Sequence, residues 1–177
     1  MTPRVINEPH IDRRTDQSIR HGLCVCFPDD VEFYSKTRGW NQYDPHITTV
    51  LEQGGRVIAH AAAIDKSIMV GDKALRAAGI MNVFVLPGFR KKGYAHVVLR
   101  AALGEAERQG FDIGFLFCKE WLAQVYKTSG WKKIKRPVTR VVAGRERPLR
   151  RHIISLYYPL RMKTLPPGDI HLGGNEW

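Results

Sequence analysis

Between Val83 and Leu99 the stretch VFVLPGFRKKGYAHVVL changes its hydrophobic period. Its first residues read as the end of a β-strand, and Pro87 closes that strand because it has no N–H for a ladder. From there Ala95, Val98, Leu99, Ala102, Leu103 and Ala106 recur at helical spacing, with Arg100, Glu105 and Arg108 facing away. Gly110 is placed to end that helix. The next run, FDIGFLF at 111–117, is short and apolar, as a buried strand is. A strand, a crossover helix and a second strand make a parallel pair inside a sheet, so this unit constrains the fold more than any other.

The residues before it read as an antiparallel meander. ITTVLEQ (47–53) is strand-like, and Gly54-Gly55 is a hairpin signal. RVIAHAAAIDKSIMV (56–70) alternates around β-branched residues, GDK (71–73) is a second turn, and ALRAAGIMNVFV (74–85) is a third strand. Upstream, TDQSIRHGLCVCF (15–27) can form a helix capped by Thr15 or Asp16. DDVEFYSKT (29–37) suits a second short helix with acids in its first turn, and RGWNQYDPH (38–46) a loop. Downstream, KEWLAQVYKTSG (119–130) predicts an amphipathic helix ending at Gly130. WKKIKRPVTRVV (131–142) and RHIISLYYPL (151–160) read as final strands, and the tail from Arg161 as irregular.

The turn itself carries chemistry. A helix start presents backbone N–H groups without internal partners, and the dipole adds partial positive charge there. Arg90, Lys91 and Lys92 add formal charge, and Gly93 lets a ligand approach the backbone. RKKGYA therefore has the makings of a pyrophosphate cradle. It is neither a Walker loop nor a dinucleotide fingerprint, whose glycine patterns are missing. The bland alternative is a solvated basic connection.

The spacing V-x-P-x-x-R-x-x-G-x-A, met at Val85, Pro87, Arg90, Gly93 and Ala95, resembles the acetyl-CoA-binding motif of the GNAT family of N-acetyltransferases. VYKTSGW (125–131) resembles the family's second signature, an aromatic-containing helix end followed by Gly and an aromatic residue. The resemblance covers roughly 15–160 and implies a single GNAT domain over 1–177. The implied fold is α/β (α+β mixed): a mixed, mostly antiparallel sheet flanked by helices, with a central parallel strand pair. It also implies an enzyme that uses acetyl-CoA to acetylate an amine. Backbone groups of Val83, Phe84 and Val85 would then hold the pantetheine and acetyl carbonyl. Those of Arg90, Lys91, Lys92, Gly93, Tyr94 and Ala95 would hold the pyrophosphate, and Tyr126 would donate a proton to the leaving thiolate. Many family members carry a glutamate on the third meander strand, where this chain has GIMNVFV with Met81 and Asn82. Candidate bases are therefore a relayed water, Asp30, Glu32, Glu176, the terminal carboxylate or His60, the last read as a core residue.

Within the family the sequence is similar to aminoglycoside 2'-N-acetyltransferases, through RVIAHAAAI, KALRAAGIMNVFV and the Gly-rich ending on Trp177. That likeness implies a small-molecule amine as substrate, an aminoglycoside antibiotic and thus a resistance role. Asp30, Glu32, Met81, Asn82, Glu176 and Trp177 are the substrate-binding candidates. The alternatives are a GNAT enzyme acting on a peptide, a polyamine or a nodulation-type acyl acceptor and, outside enzymology, a basic nucleic-acid-binding module through 131–152.

Charge bears on these choices. The chain's 177 residues carry 28 Lys+Arg against 17 Asp+Glu, a net charge of +11. Such a surface favours a polyanion such as coenzyme A and repels a polycation at long range, although screening sets in over ~8 Å at physiological salt. The segment 131–152 has no aromatic-interleaved platform or known nucleic-acid signature, so no nucleic-acid partner is expected. No run approaches the ~18 apolar residues of a membrane span, and the N-terminus has no apolar core of signal-peptide length, so a cytoplasmic protein is expected. Cys24, Cys26 and Cys118 read as buried free thiols, because C-x-C lacks a second ligand pair for zinc; no metal is expected. A homodimer is left open.

Overall fold

A computed structural model describes residues 1–177. In chain order the elements are β1 (Arg4–Asn7), α1 (Arg13–Cys26), α2 (Val31–Tyr34), β2 (Ile47–Gln53), β3 (Arg56–Val70), β4 (Lys73–Val85) and α3 (Tyr94–Arg108). There follow β5 (Ile113–Lys119), α4 (Ala123–Lys127), β6 (Lys132–Lys133), β7 (Val138–Val142), β8 (Arg145–Pro148), β9 (Ile153–Pro159) and β10 (Ile170–His171). They form two compact units, Met1–Ile64 with Met81–Glu105, and Asp65–Ile80 with Ala106–Trp177. The architecture is mixed α/β, as the strand and helix periods predict.

In the first unit β1 pairs antiparallel with β2, and β2 with β3, with Ile47 opposite Ala63. Gly54 and Gly55 make the intervening turn with φ of 60° and 73°, the left-handed pair a two-residue hairpin needs. The helices cover opposite faces of these strands. Thr49 donates from Oγ1 to the Val98 carbonyl of α3 at 3.0 Å. His60, opposite the adjacent Val50 and so on the other face, stacks on Phe84, whose ring lies against Gly22 of α1. Ile19, Leu23, Ile47, Val50 and Leu51 are fully buried between these layers.

In the second unit β5 runs parallel to β4, with Ala77 opposite Ile113, so the crossover through α3 has the expected sense. Gly110, at φ 81°, ends that helix. β9 lies antiparallel to β5 along seven paired residues from Ile113–Pro159 to Lys119–Ile153, and β6 adds to β9. A second set of strands continues from the end of β3: β10 pairs antiparallel with Val70 and Met69, β7 lies parallel to β10, and β8 antiparallel to β7. Phe111, Ile113, Phe115, Leu116 and Leu156 form this unit's core.

Four expectations need correction. The cap of α1 is Asp12, not Thr15 or Asp16, and its Oδ1 accepts from the Thr15 N–H at 2.9 Å. Glu105 does not face away; it is buried and accepts from Asn7 Nδ2 at 3.2 Å. The helix expected over 119–130 is one 3-10 turn, Glu120–Leu122, followed by the five-residue α4. The single strand expected over 131–142 is interrupted between β6 and β7, where Pro137 cannot join a ladder by donation.

Candidate active site

The strand–turn–helix that opened the sequence reading lies in the first unit. β4 ends at Val85, a 3-10 turn spans Pro87–Phe89, and α3 begins at Tyr94. The first helical bond of α3 runs from the Val97 N–H to the Gly93 carbonyl. Backbone acceptors thus serve Phe89 and Arg90 before the turn and Val97 after it, while the N–H groups of Lys91 to Ala95 have none. Lys91 and Gly93 both have positive φ, 63° and 76°. Alternating backbone of this kind turns successive N–H groups toward one concavity that suits an anion. A Cβ built on Gly93 would meet nothing within 4 Å, so the space over the turn is open. Lys91 and Lys92 are exposed there, and Lys92 Nζ sits 5.7 Å from the Phe89 ring centre. Arg90 turns back instead, donating from Nε to the Val85 carbonyl at 3.1 Å. Free N–H groups, two exposed ammonium groups and an open glycine fit a diphosphate such as that of coenzyme A.

β4 does not alternate regularly on its approach to the turn. Asn82 has φ 55°, a left-handed conformation in the middle of a strand. Asn82 and the adjacent Val83 are both partly exposed, whereas Met81 and Phe84 on either side are buried. Three bonds hold the kink. The Tyr34 hydroxyl donates to Asn82 Oδ1 at 2.9 Å, Asn82 Nδ2 donates to the Arg38 carbonyl at 2.7 Å, and His60 Nδ1 donates to the Asn82 carbonyl at 2.8 Å. His60 is fully buried, and burial pushes it down to about 4, so it is neutral and serves packing as expected. Burial also raises the Tyr34 phenol, keeping its proton available to Asn82. The side chain of Arg38 is itself gripped by Glu8 at 2.9 Å and Asp16 at 2.6 Å. Neither Tyr34 nor Arg38 was found from sequence; the signal available was an Asn, tolerant of positive φ, placed in a strand run.

The acids expected to meet an amine fall into two groups. Asp30 and Glu32, with Asp29, line a cleft of about 440 Å³ in the first unit, shared with Phe33, Lys36 and Thr37. Lys36 bridges to Glu32 at 3.1 Å. Glu176, in the second unit, lies between Arg140 at 2.9 Å and Arg150 at 3.1 Å. Trp177 beside it is buried against Phe115 and Phe117, with ring centres 5.6 and 4.8 Å away.

Tyr126 lies on α4 in the second unit, edge-on to the buried Trp131 at 6.0 Å. Burial, with a smaller effect of Cys118, pushes its phenol up to about 12, so it carries its proton throughout the neutral range. The Cys118 thiol is pushed up to about 11 by burial, which leaves it a packing residue rather than a nucleophile. All three cysteines are free as expected, but only Cys118 is buried; Cys24 and Cys26, on the last turn of α1, are half-buried rather than buried. No helix is long and apolar enough to cross a membrane.

A family model for the acetyltransferase (GNAT) domain matches residues 13–134, well over half of the chain. The chain belongs to the GNAT acetyltransferase family. That span takes in the strand–turn–helix and α4, so both GNAT signatures lie inside it. The chain is 24% identical over 130 residues to an aminoglycoside 2'-N-acetyltransferase of Mycolicibacterium fortuitum, covering 73% of this chain and 64% of that protein. It superposes on the structure of the GNAT protein YhbS from Escherichia coli in complex with CoA, with a TM-score of 0.63, 13% identity, and 98% of this chain and 91% of the other covered. A GCN5-related N-acetyltransferase from Kribbella flavida aligns with a TM-score of 0.55 and 20% identity over 74% of this chain but 33% of its own. The chain thus spans just under two thirds of the M. fortuitum protein and a third of the Kribbella one.

Proposed function

We propose that residues 1–177 act as a single acetyl-CoA-dependent N-acetyltransferase domain whose acceptor is the primary amine of a small molecule, an aminoglycoside in the first instance. The observation that carries the donor half is the turn at Lys91 to Ala95, with its unpartnered N–H groups beneath Lys91, Lys92 and Gly93. Backbone groups of Val83 to Val85 align the pantetheine arm, and the N–H groups of Lys91 to Ala95 hold the diphosphate; the Arg90 N–H, expected to join them, is taken up by the Pro87 carbonyl. Bound acetyl-CoA supplies the thioester whose carbonyl carbon the amine attacks; an N–C bond forms as the C–S bond breaks. Tyr126 gives its phenolic proton to the departing sulfur, a role its neutral state at physiological pH allows. The amine's proton leaves to water or to an acid of the acceptor cleft.

The acceptor half rests on Asp29, Asp30 and Glu32 beside Phe33, a cleft whose carboxylates and aromatic face suit an ammonium group. Its local charge opposes the protein's overall +11. The similarity to the M. fortuitum aminoglycoside 2'-N-acetyltransferase favours the same acceptor class. Glu176 and Trp177 remain further substrate-binding candidates, with Glu176 held by its two arginines.

The test is a thiol-release assay with acetyl-CoA against a panel of kanamycin-, gentamicin- and apramycin-type drugs, polyamines and N-terminal peptides. Turnover of an aminoglycoside is expected. Silence on every drug with turnover of a peptide or polyamine removes the acceptor assignment and leaves the donor half. Silence on all of them, with no binding of coenzyme A, removes both.

A further inference from the structure

Asn82 stands apart from every other strand residue in the first unit. Its φ of 55° is one that a non-glycine residue adopts at a cost, and it lies immediately before the strand segment assigned to the donor. Its carbonyl and both ends of its side-chain amide are each hydrogen bonded, and each bond reaches a different element. The carbonyl accepts from His60 of β3, Oδ1 from Tyr34 of α2, and Nδ2 donates to the Arg38 carbonyl in the loop that follows α2. The two side-chain partners flank Lys36 and Thr37 of the acidic cleft, and its carboxylates lie just before Tyr34. Tyr34 is the last residue of the helix bearing Glu32, and Lys36 and Thr37, beside Arg38, line the cleft itself. Tyr34 is buried and stacked on Trp40 at 5.8 Å, and Arg38 is clamped by Glu8 and Asp16. Neither partner is free to follow Asn82; Asn82 is fixed by them.

We infer that Asn82 is a positioning residue that pins the acceptor segment 31–38 to the donor strand through one side chain. This rests on the proposed acetyltransferase reading. The backbone of Asn82 sets the kink from which Val83 to Val85 face the donor. Its amide sets where the acidic cleft stands relative to that kink. The two halves are thereby linked, because a shift of α2 or of the loop after it loads the hydrogen bonds that brace Asn82. With both ends of its amide taken up by Tyr34 and Arg38, Asn82 acts through these partners rather than as the substrate contact that the resemblance implied.

Glycine and alanine separate the two jobs. Glycine adopts positive φ without penalty but has no amide; alanine lacks the amide and resists the conformation. Coenzyme A affinity is read by calorimetry and backbone protection of 31–46 by amide hydrogen exchange, both on the whole chain, with a thermal melt to establish folding. Asn82→Gly is expected to keep coenzyme A affinity within about threefold of the wild type while exchange at 31–46 speeds at least about tenfold, a loss on the order of 1.4 kcal/mol of local protection. Asn82→Ala is expected to show the same faster exchange and, in addition, coenzyme A binding weakened about tenfold. Tyr34→Phe, which leaves the strand untouched, is expected to speed exchange with affinity unchanged, and to raise KM for whichever amine the panel identifies with kcat within about twofold. If Asn82→Gly and Asn82→Ala bind coenzyme A equally, or if exchange at 31–46 is unmoved in all three, the inference is overturned. Should Asn82→Ala not fold, the Asn82→Gly and Tyr34→Phe pair still decides the pin. Absence of coenzyme A binding by the wild type sinks the acetyltransferase reading instead, while the exchange arm still reports whether the segment is pinned.

Discussion

Tyr126, half-buried, and His60, fully buried, are both titratable groups, and loss of solvent moves them in opposite chemical directions. For Tyr126 the neutral phenol is favoured, so the proton that its proposed role requires is present up to about pH 12. Tyr126→Phe removes that proton while keeping the edge-on contact with Trp131. Turnover should fall about a hundredfold with coenzyme A affinity little changed, and a steady-state assay paired with calorimetry separates the two. Unchanged turnover assigns the proton to another group. For His60 the neutral imidazole is favoured, with a folded value of about 4 against an ordinary 6.5 for a solvated histidine. Between those values the unfolded chain binds a proton that the folded chain does not. Stability from this group is therefore full above pH 6.5 and is lost as pH falls toward 4, by about 3 kcal/mol at most. Denaturant melts of the wild type and His60→Asn across that window should converge as pH falls. Parallel curves would show that the histidine does not couple folding to pH. Asn82 illustrates what residue-level reading of the sequence could not reach. Its tolerance of positive φ is a property of asparagine, but its partners lie 48 and 44 residues away, and no local pattern announces them.

Elements bounded by strong turn chemistry were legible. β2 and β3 were found with their observed limits because Gly54-Gly55 and Gly71 demand turns that few other residues make. The crossover through α3 was legible because its apolar face is long enough to establish a period. Short elements were not: β1, β8 and β10 hold four residues or fewer, too few to display alternation, and are fixed by their strand partners. The helix carrying Tyr126 was overextended because a 3-10 turn and a five-residue helix share the residue preferences of one longer helix. Packing of α1 on β4 yields a prediction of its own. A Cβ on Gly22 would come within 2.3 Å of the Phe84 ring, which is in turn stacked on His60 at 5.3 Å. Gly22→Ala improves helix propensity but overpacks this contact. Net destabilisation of about 1–3 kcal/mol is expected in denaturant melts. A gain in stability would mean that the ring has room to withdraw.

At the scale of the molecule, charge acts with opposite sign on coenzyme A and on the aminoglycoside proposed as acceptor. A protein of +11 attracts coenzyme A and repels a polycationic acceptor, whereas Asp29, Asp30 and Glu32 attract that acceptor only nearby. Raising salt from about 50 to about 500 mM shortens the Debye length from roughly 14 to roughly 4 Å. The KM for acetyl-CoA should then rise, and the KM for an aminoglycoside should rise less or fall, in matched steady-state assays. A drug KM that rises as steeply as that of acetyl-CoA would show that local carboxylates, not the global field, dominate its capture. The family and the fold class were within reach of the sequence because both GNAT signatures are short and local. Asp30 and Glu32 were named from the sequence as acceptor candidates, but that they share one cleft with Asp29 and Phe33 follows only from the fold.

Backbone amide chemical-shift mapping of the isotope-labelled chain during titration with coenzyme A tests the donor site most directly. The largest shifts should fall on Lys91 to Ala95, with a second set at Val83 to Val85. Saturable binding whose shifts bypass Lys91 to Ala95, or no shifts at all on folded protein, would contradict it.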